Sequence, residues 1–189
     1  TLQVVGGFVL LGILVNINQL YLLLPKNYSG GIAVVFIIGL SKYFDLILGN
    51  NNAIIFNSKY YKTVLYLGLM LAFLAISLNM ILIPKFGIIG AAWATLISIT
   101  LYSISKLLFV VYRMNLYPFS VNTLKSFGLI LFLFLGFYFW DFSFHPIVNM
   151  ALKSILVTLA YGFINYKMMI SAEINQVMDT VFRKVRILK

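Results

Sequence analysis

The stretch Asn79-Met-Ile-Leu-Ile-Pro-Lys-Phe-Gly-Ile-Ile-Gly-Ala-Ala-Trp-Ala-Thr95 decides how this chain folds. An apolar helix carrying an asparagine runs into Ile-Pro. Proline removes a backbone donor and clashes with the preceding turn, so Pro84 ends that helix. A tight Lys-Phe-Gly turn follows, and Gly-Ala-Ala-Trp-Ala-Thr opens the next helix. Gly87, Ala91 and Thr95 recur at a spacing of four, with Gly90 beside them. Small residues at that spacing let helices approach closely. The stretch therefore reads as a hairpin of two packed helices.

The same apolar character extends in both directions. The chain has 189 residues, 62% hydrophobic and only 10% charged, with a mean hydropathy of +1.03. A soluble domain carries roughly 25% charged residues. This excludes an ordinary cytosolic domain, a disordered tail and a secreted disulfide scaffold. Cysteine is absent, so no disulfide framework or thiol-ligated metal is available. Six apolar segments stand out: 4–24, 31–56, 63–83, 88–112, 123–140 and 146–167. They are long and unalternating, which predicts helices rather than a barrel, and each is close to the roughly 20 residues a span needs. Pro25 and Pro118 fall in connections, and Pro146 sits at a first turn. The expected fold is all-α: a polytopic transmembrane helix bundle of about six spans, plus a C-terminal amphipathic interfacial helix.

Charge placement predicts orientation. With alternate connections on opposite sides, one side receives Lys59, Lys62, Arg113, Lys125, Lys167, Arg183, Lys184, Arg186 and Lys189, while the other receives Lys26 and Lys85. Nine against two predicts that both ends of the chain are cytoplasmic. The net charge of +10 is scattered between apolar runs rather than gathered on a polar domain, so no nucleic-acid partner is expected. In the tail, 171–189, Ile174, Val177, Met178, Val181, Phe182, Val185 and Leu188 share one helical face beside a basic cluster. That pattern predicts a cytoplasmic helix lying in the interface against membrane lipids. Residues 4–24 are too long and too dotted with polar residues to read as a signal peptide, and the chain, starting at Thr1, is expected to begin inside a longer protein.

Polar residues at membrane depth are costly and mark interiors or wet cavities. The second segment is richest: Lys42, Asp45, Gly49 and Asn52 follow at spacings that share one face. Lys42 and Asp45 are close enough to pair on their own helix. Twenty-six residues span about 39 Å, more than the roughly 30 Å of a hydrocarbon core, and 49–52 is the natural place for a break. This face reads either as the polar wall of a transport path or as a structural ion pair with a polar helix end. Gly12, Asn16 and Gln19 share a face in the first segment. Gly68, Ala72, Ala75 and Asn79 do so in the third, and Ser154, Thr158, Tyr161 and Asn165 in the sixth. Such stripes predict helix packing, with Asn16 and Asn79 as candidates for cavity contacts. Lys106 and Lys153 lie about two turns inside their segments and are expected to snorkel. The fifth segment is almost wholly apolar and is expected to face lipid.

No catalytic constellation is present. His145 stands alone before Pro146, and the four acids, Asp45, Asp141, Glu173 and Asp179, lie in different regions. There is no HExxH motif, nucleotide loop or dinucleotide fingerprint. Neither an enzyme nor a cofactor or metal site is expected.

The hairpin, with the run Gly49-Asn-Asn-Asn-Ala-Ile-Ile-Phe-Asn-Ser-Lys-Tyr-Tyr-Lys62 leading into it, resembles the C-terminal region of bacterial polysaccharide-biosynthesis flippases. These form the Wzx-like branch of the MATE/MurJ superfamily. The likeness covers about 49–112, and related multidrug exporters carry a version of the pattern. It implies that 1–112 supplies four helices of a second lobe, that 113–170 adds two further helices, and that 171–189 is the tail. It also implies that the first lobe lies outside this chain. On this resemblance the chain is part of a bacterial inner-membrane transporter of lipid-linked oligosaccharide repeat units. Lys42 would attract substrate phosphates, Asp45 would hold Lys42 or couple to a cation, and Asn52, Asn16 and Asn79 would meet sugars or the cavity. A multidrug or small-solute exporter of the same superfamily, and a non-transporting subunit that scaffolds a glycan-assembly complex, are the alternatives.

Overall fold

The computed structural model describes residues 1–25, 28, 30–48, 50–117 and 120–184, with the side chains at 50–52 and 181–184 outside that description. Among the described residues all regular structure is helical. The elements are α1 (Leu2–Leu23), α2 (Gly31–Leu48), α3 (Asn50–Phe56), α4 (Tyr61–Met114), α5 (Val121–Tyr138), α6 (Pro146–Met168) and α7 (Ala172–Lys184). Five stretches are long and apolar enough to cross a membrane: α1, α2 with α3, α4, α5 and α6. α2 and α3 together cover the second apolar segment; of the break expected over 49–52, position 49 lies outside the described residues and 50–52 are helical.

The chain forms two compact units, Thr1–Pro25 with Phe119–Lys189, and Lys26–Pro118. In the first unit α1 packs against α5 and α6, and α7 touches α6. The sequence division at 112 groups α1 with the helices that follow it. Its contacts instead place it with α5 and α6, because its polar side chains find their partners on α6. Tyr161 Oη donates to the Val4 carbonyl at 2.7 Å, and Asn16 Nδ2 donates to Ser154 Oγ at 3.0 Å. Local signals set the helix ends. Ser120 and Thr123 form a capping box at the start of α5. Pro146 opens α6, while exposed His145 caps it by accepting from the Ile147 N–H through Nδ1.

In the second unit α2 and α3 both pack on α4. α4 runs for 54 residues, but it is not straight. Gly87 has φ 56° and ψ −135°, a conformation glycine alone adopts readily. Residues eight apart in a straight helix lie about 12 Å from each other, yet a Cβ placed on Gly90 would overlap the Leu82 carbonyl. The Tyr60 and Phe109 rings meet edge to face at 5.4 Å, where a straight helix would hold them about 70 Å apart. α4 is therefore a hairpin of two arms, 61–86 and 88–114. Pro84 lies inside the run rather than ending it, and the reversal falls three residues later, at the glycine. No residue of the first arm is buried.

The buried seam of the second arm differs from the 87/91/95 stripe. Gly90, Ala94, Ser98, Tyr102, Lys106 and Val110 are all buried, four residues apart along one face. On α6, Asn149, Lys153, Val157, Tyr161 and Asn165 form a second seam of the same period. Each seam contains one lysine.

Candidate functional site

Both lysines expected to snorkel are enclosed instead. Their side chains are 0% and 1% exposed, and each meets an aspartate that is 45% exposed. An ammonium taken out of water must be paired. Each helix seam has delivered its lysine to a carboxylate on another element.

In the second unit Lys106 Nζ lies 3.9 Å from Asp45 Oδ1 of α2. It also sits 4.0 Å from the Tyr102 ring centroid, one turn earlier on its own arm. The Lys42–Asp45 pair expected from sequence is therefore replaced by a pair between helices. Lys42 is exposed and, among the described residues, meets no carboxylate. On the same two helices, Ser41 of α2 and Ser98 and Ser103 of the second arm are buried. They let the helices approach closely. Asn52 has its side chain outside the described residues. Asn79 is half-buried, and its amide donates at 2.7 Å to the Ala75 carbonyl of its own helix. Thr95 does the same to Ala91 at 2.9 Å. Thus Lys42 and Asp45 share one turn of α2, while Asn79 is occupied on the first arm.

In the first unit Lys153 Nζ donates to Asp141 Oδ1 at 2.6 Å and lies 3.5 Å from the Val15 carbonyl. Asp141 precedes α6, so Lys153 does run toward the helix end, but it stops on a carboxylate rather than a lipid headgroup. The Gln19 and Asn149 amides also favour the ionised form of the Asp141 carboxyl. Asn149 clamps the same connection, donating to the Phe142 carbonyl at 3.2 Å and accepting from its N–H at 3.4 Å. Asn16 is buried one turn before Gln19 and donates to the Gly12 carbonyl and to Ser154. This cluster fastens α1, α6 and the α5–α6 connection together.

The Lys153 hydrogen bond, helped by the Gln19 and Asn149 side chains, holds the Asp141 carboxyl below the ordinary carboxylate range against the opposing effect of burial. A depressed folded-state value stabilises the fold fully above the unfolded carboxyl's pKa of about 4, and that contribution is lost as pH falls through the lower folded value. Thermal unfolding in detergent, read from Trp140 fluorescence in a Trp93→Phe background, should change little with this group between about pH 5 and pH 8 and weaken below about pH 4. The acid loss should shrink in Lys153→Met. An identical acid limb in that variant would contradict the assignment.

The sequence points to Lys42 and Asp45 but misses Lys106, Tyr102, Lys153, Asp141 and Asn149 as members of polar clusters. The signal that could have found the lysines is their place in the four-residue seams. No protein-family model matches the chain, and no curated protein or solved structure matches it either.

Proposed function

We propose that this chain is part of a bacterial inner-membrane flippase that moves lipid-linked oligosaccharide repeat units across the bilayer. The observation that carries the reading is the open Lys42/Asp45 turn of α2. It lies well inside a stretch long and apolar enough to span, and a charge left uncovered at such depth belongs against water or polar ligand rather than hydrocarbon. The likeness of 49–112 to the flippase region supports the same reading. Taken as two arms, α4 contributes two crossings of about 39 and 40 Å, bringing the count to six. The charge bias then puts both ends of the chain in the cytoplasm and the Gly87 turn outside. The uncovered apolar first arm would face lipid, and α7 would lie in the interface.

In this mechanism the diphosphate-bearing headgroup enters a polar cavity walled on one side by α2, while the lipid tail stays in the bilayer. Lys42 supplies charge to the phosphates. Alternating access between two lobes carries the headgroup across, the other lobe lying outside this chain.

The absence of native cysteine makes the test clean. Lys42→Cys should react with a membrane-impermeant maleimide, and Lys42→Ala in the complete protein should abolish glycan export without reducing insertion. Normal surface glycan in Lys42→Ala would sink the flippase assignment. An unreactive Cys at 42 would favour a scaffold packed against another protein.

A further inference from the structure

One turn of α2 carries an asymmetry. Lys42 and Asp45 have the spacing at which opposite charges on a helix meet. They do not pair. Asp45 is engaged by Lys106 from the second arm, 3.9 Å away, and Lys42 is left exposed with no carboxylate partner among the described residues. The two lysines compete on unequal terms. Lys42 has solvent to satisfy it. Lys106 is fully enclosed, its Nζ makes no hydrogen bond among the described residues, and its compensation is the Tyr102 ring and the Asp45 carboxylate. An enclosed charge is poorly screened, so it holds a carboxylate more firmly than an exposed one does.

We infer that Lys106 is a positioning residue. It keeps Asp45 away from Lys42, so that the Lys42 ammonium stays free on the open face of α2 to bind a diphosphate. This rests on the reading of that face as the wall of a transport path, and it assigns the group on the wall that meets the anion. If the Lys106–Asp45 pair served only to fasten α2 to α4, the chemistry of Lys42 would not depend on it.

The test acylates the full chain in lipid vesicles with a water-soluble amine-reactive ester. Modification of Lys42 is quantified by mass spectrometry, with and without inorganic diphosphate. The unsubstituted chain should be modified at Lys42 and protected by diphosphate. In Lys106→Met the carboxylate is released to Lys42. Modification should then slow by about 1.4- to 2.3-fold, the effect of a pair at this spacing on an exposed helix, and diphosphate protection should fall with it. Lys106→Arg, which keeps the cation, should behave like the unsubstituted chain. The double variant Lys106→Met with Asp45→Asn leaves no buried charge in this pair and should restore both rate and protection. Removing both members of a buried pair is well tolerated, so this variant should fold even where a single one fails. A Lys42 rate unchanged by Lys106→Met, or not recovered in the double variant, overturns the positioning role alone. A Lys42 unreactive in the unsubstituted chain overturns the wet face itself.

Discussion

Asp141→Ala should destabilise the first unit by about 3–5 kcal/mol, whereas Lys153→Met should cost less than about 1 kcal/mol. Two partners of one 2.6 Å ion pair give unequal effects because they are unequally exposed. Removing the 45% exposed carboxylate strands an ammonium that is 1% exposed, with the Val15 carbonyl at 3.5 Å as its remaining acceptor among the described residues. Removing the ammonium leaves a carboxylate that is 45% exposed to water and that the Gln19 and Asn149 side chains still favour in its ionised form. Methionine fills the vacated channel with an unbranched, adaptable chain. The double variant should recover most of the loss. Thermal unfolding in detergent reads this directly, because Trp140 adjoins Asp141 and the other tryptophan, Trp93, lies in the second unit and can be replaced by phenylalanine. Equal losses from the two single variants would show that Lys153 reaches water by another route. The same logic applies to Asp45 and Lys106, where the carboxylate is again 45% exposed and the ammonium 0%.

These pairs mark where sequence reading stops. Apolar runs, proline positions and the Lys-Phe-Gly turn are local properties of the backbone, so the long helices and the reversal near Gly87 are legible in the residues themselves. Which element a polar side chain meets is not local. Asp45 and Lys106 are sixty-one residues apart in sequence, while Lys42 is three residues from Asp45, and proximity along the chain favours the wrong partner. Snorkelling is the natural expectation for Lys106 and Lys153 when each is considered alone. It fails because their seams are built from small and polar residues: Ser98 and Tyr102 before Lys106, Asn149 before Lys153. Such a seam faces protein, and a lysine within it faces protein too. Likewise, Gly90 rather than Ala91 carries the close approach in the hairpin, since the turn at Gly87 rotates the second arm by its own φ and ψ, which spacing alone does not reveal.

That close approach gives the second large effect. Gly90→Ala should destabilise the hairpin by about 1–3 kcal/mol, and Gly90→Leu by more. The added Cβ would overlap the Leu82 carbonyl, and backbone on the opposing arm cannot swing aside as a side chain tip would. Gly87→Ala tests a different cause. There is open space around Gly87, so its cost of about 1–3 kcal/mol comes from holding an L residue at φ 56° and ψ −135°. Gly68→Ala is the control: it lies on the first arm with nothing near its Cβ, and replacing a helical glycine should stabilise by about 0.5–1 kcal/mol. Arm closure can be measured without unfolding the protein. Tyr60→Cys with Phe109→Cys places two thiols where rings now meet at 5.4 Å, in a chain with no other cysteine. A short bis-maleimide should join them in the otherwise unsubstituted chain and much less in Gly90→Leu, because the arms splay. Undiminished cross-linking in Gly90→Leu would mean that the arms are held by α2 and α3 from outside rather than by contact with each other.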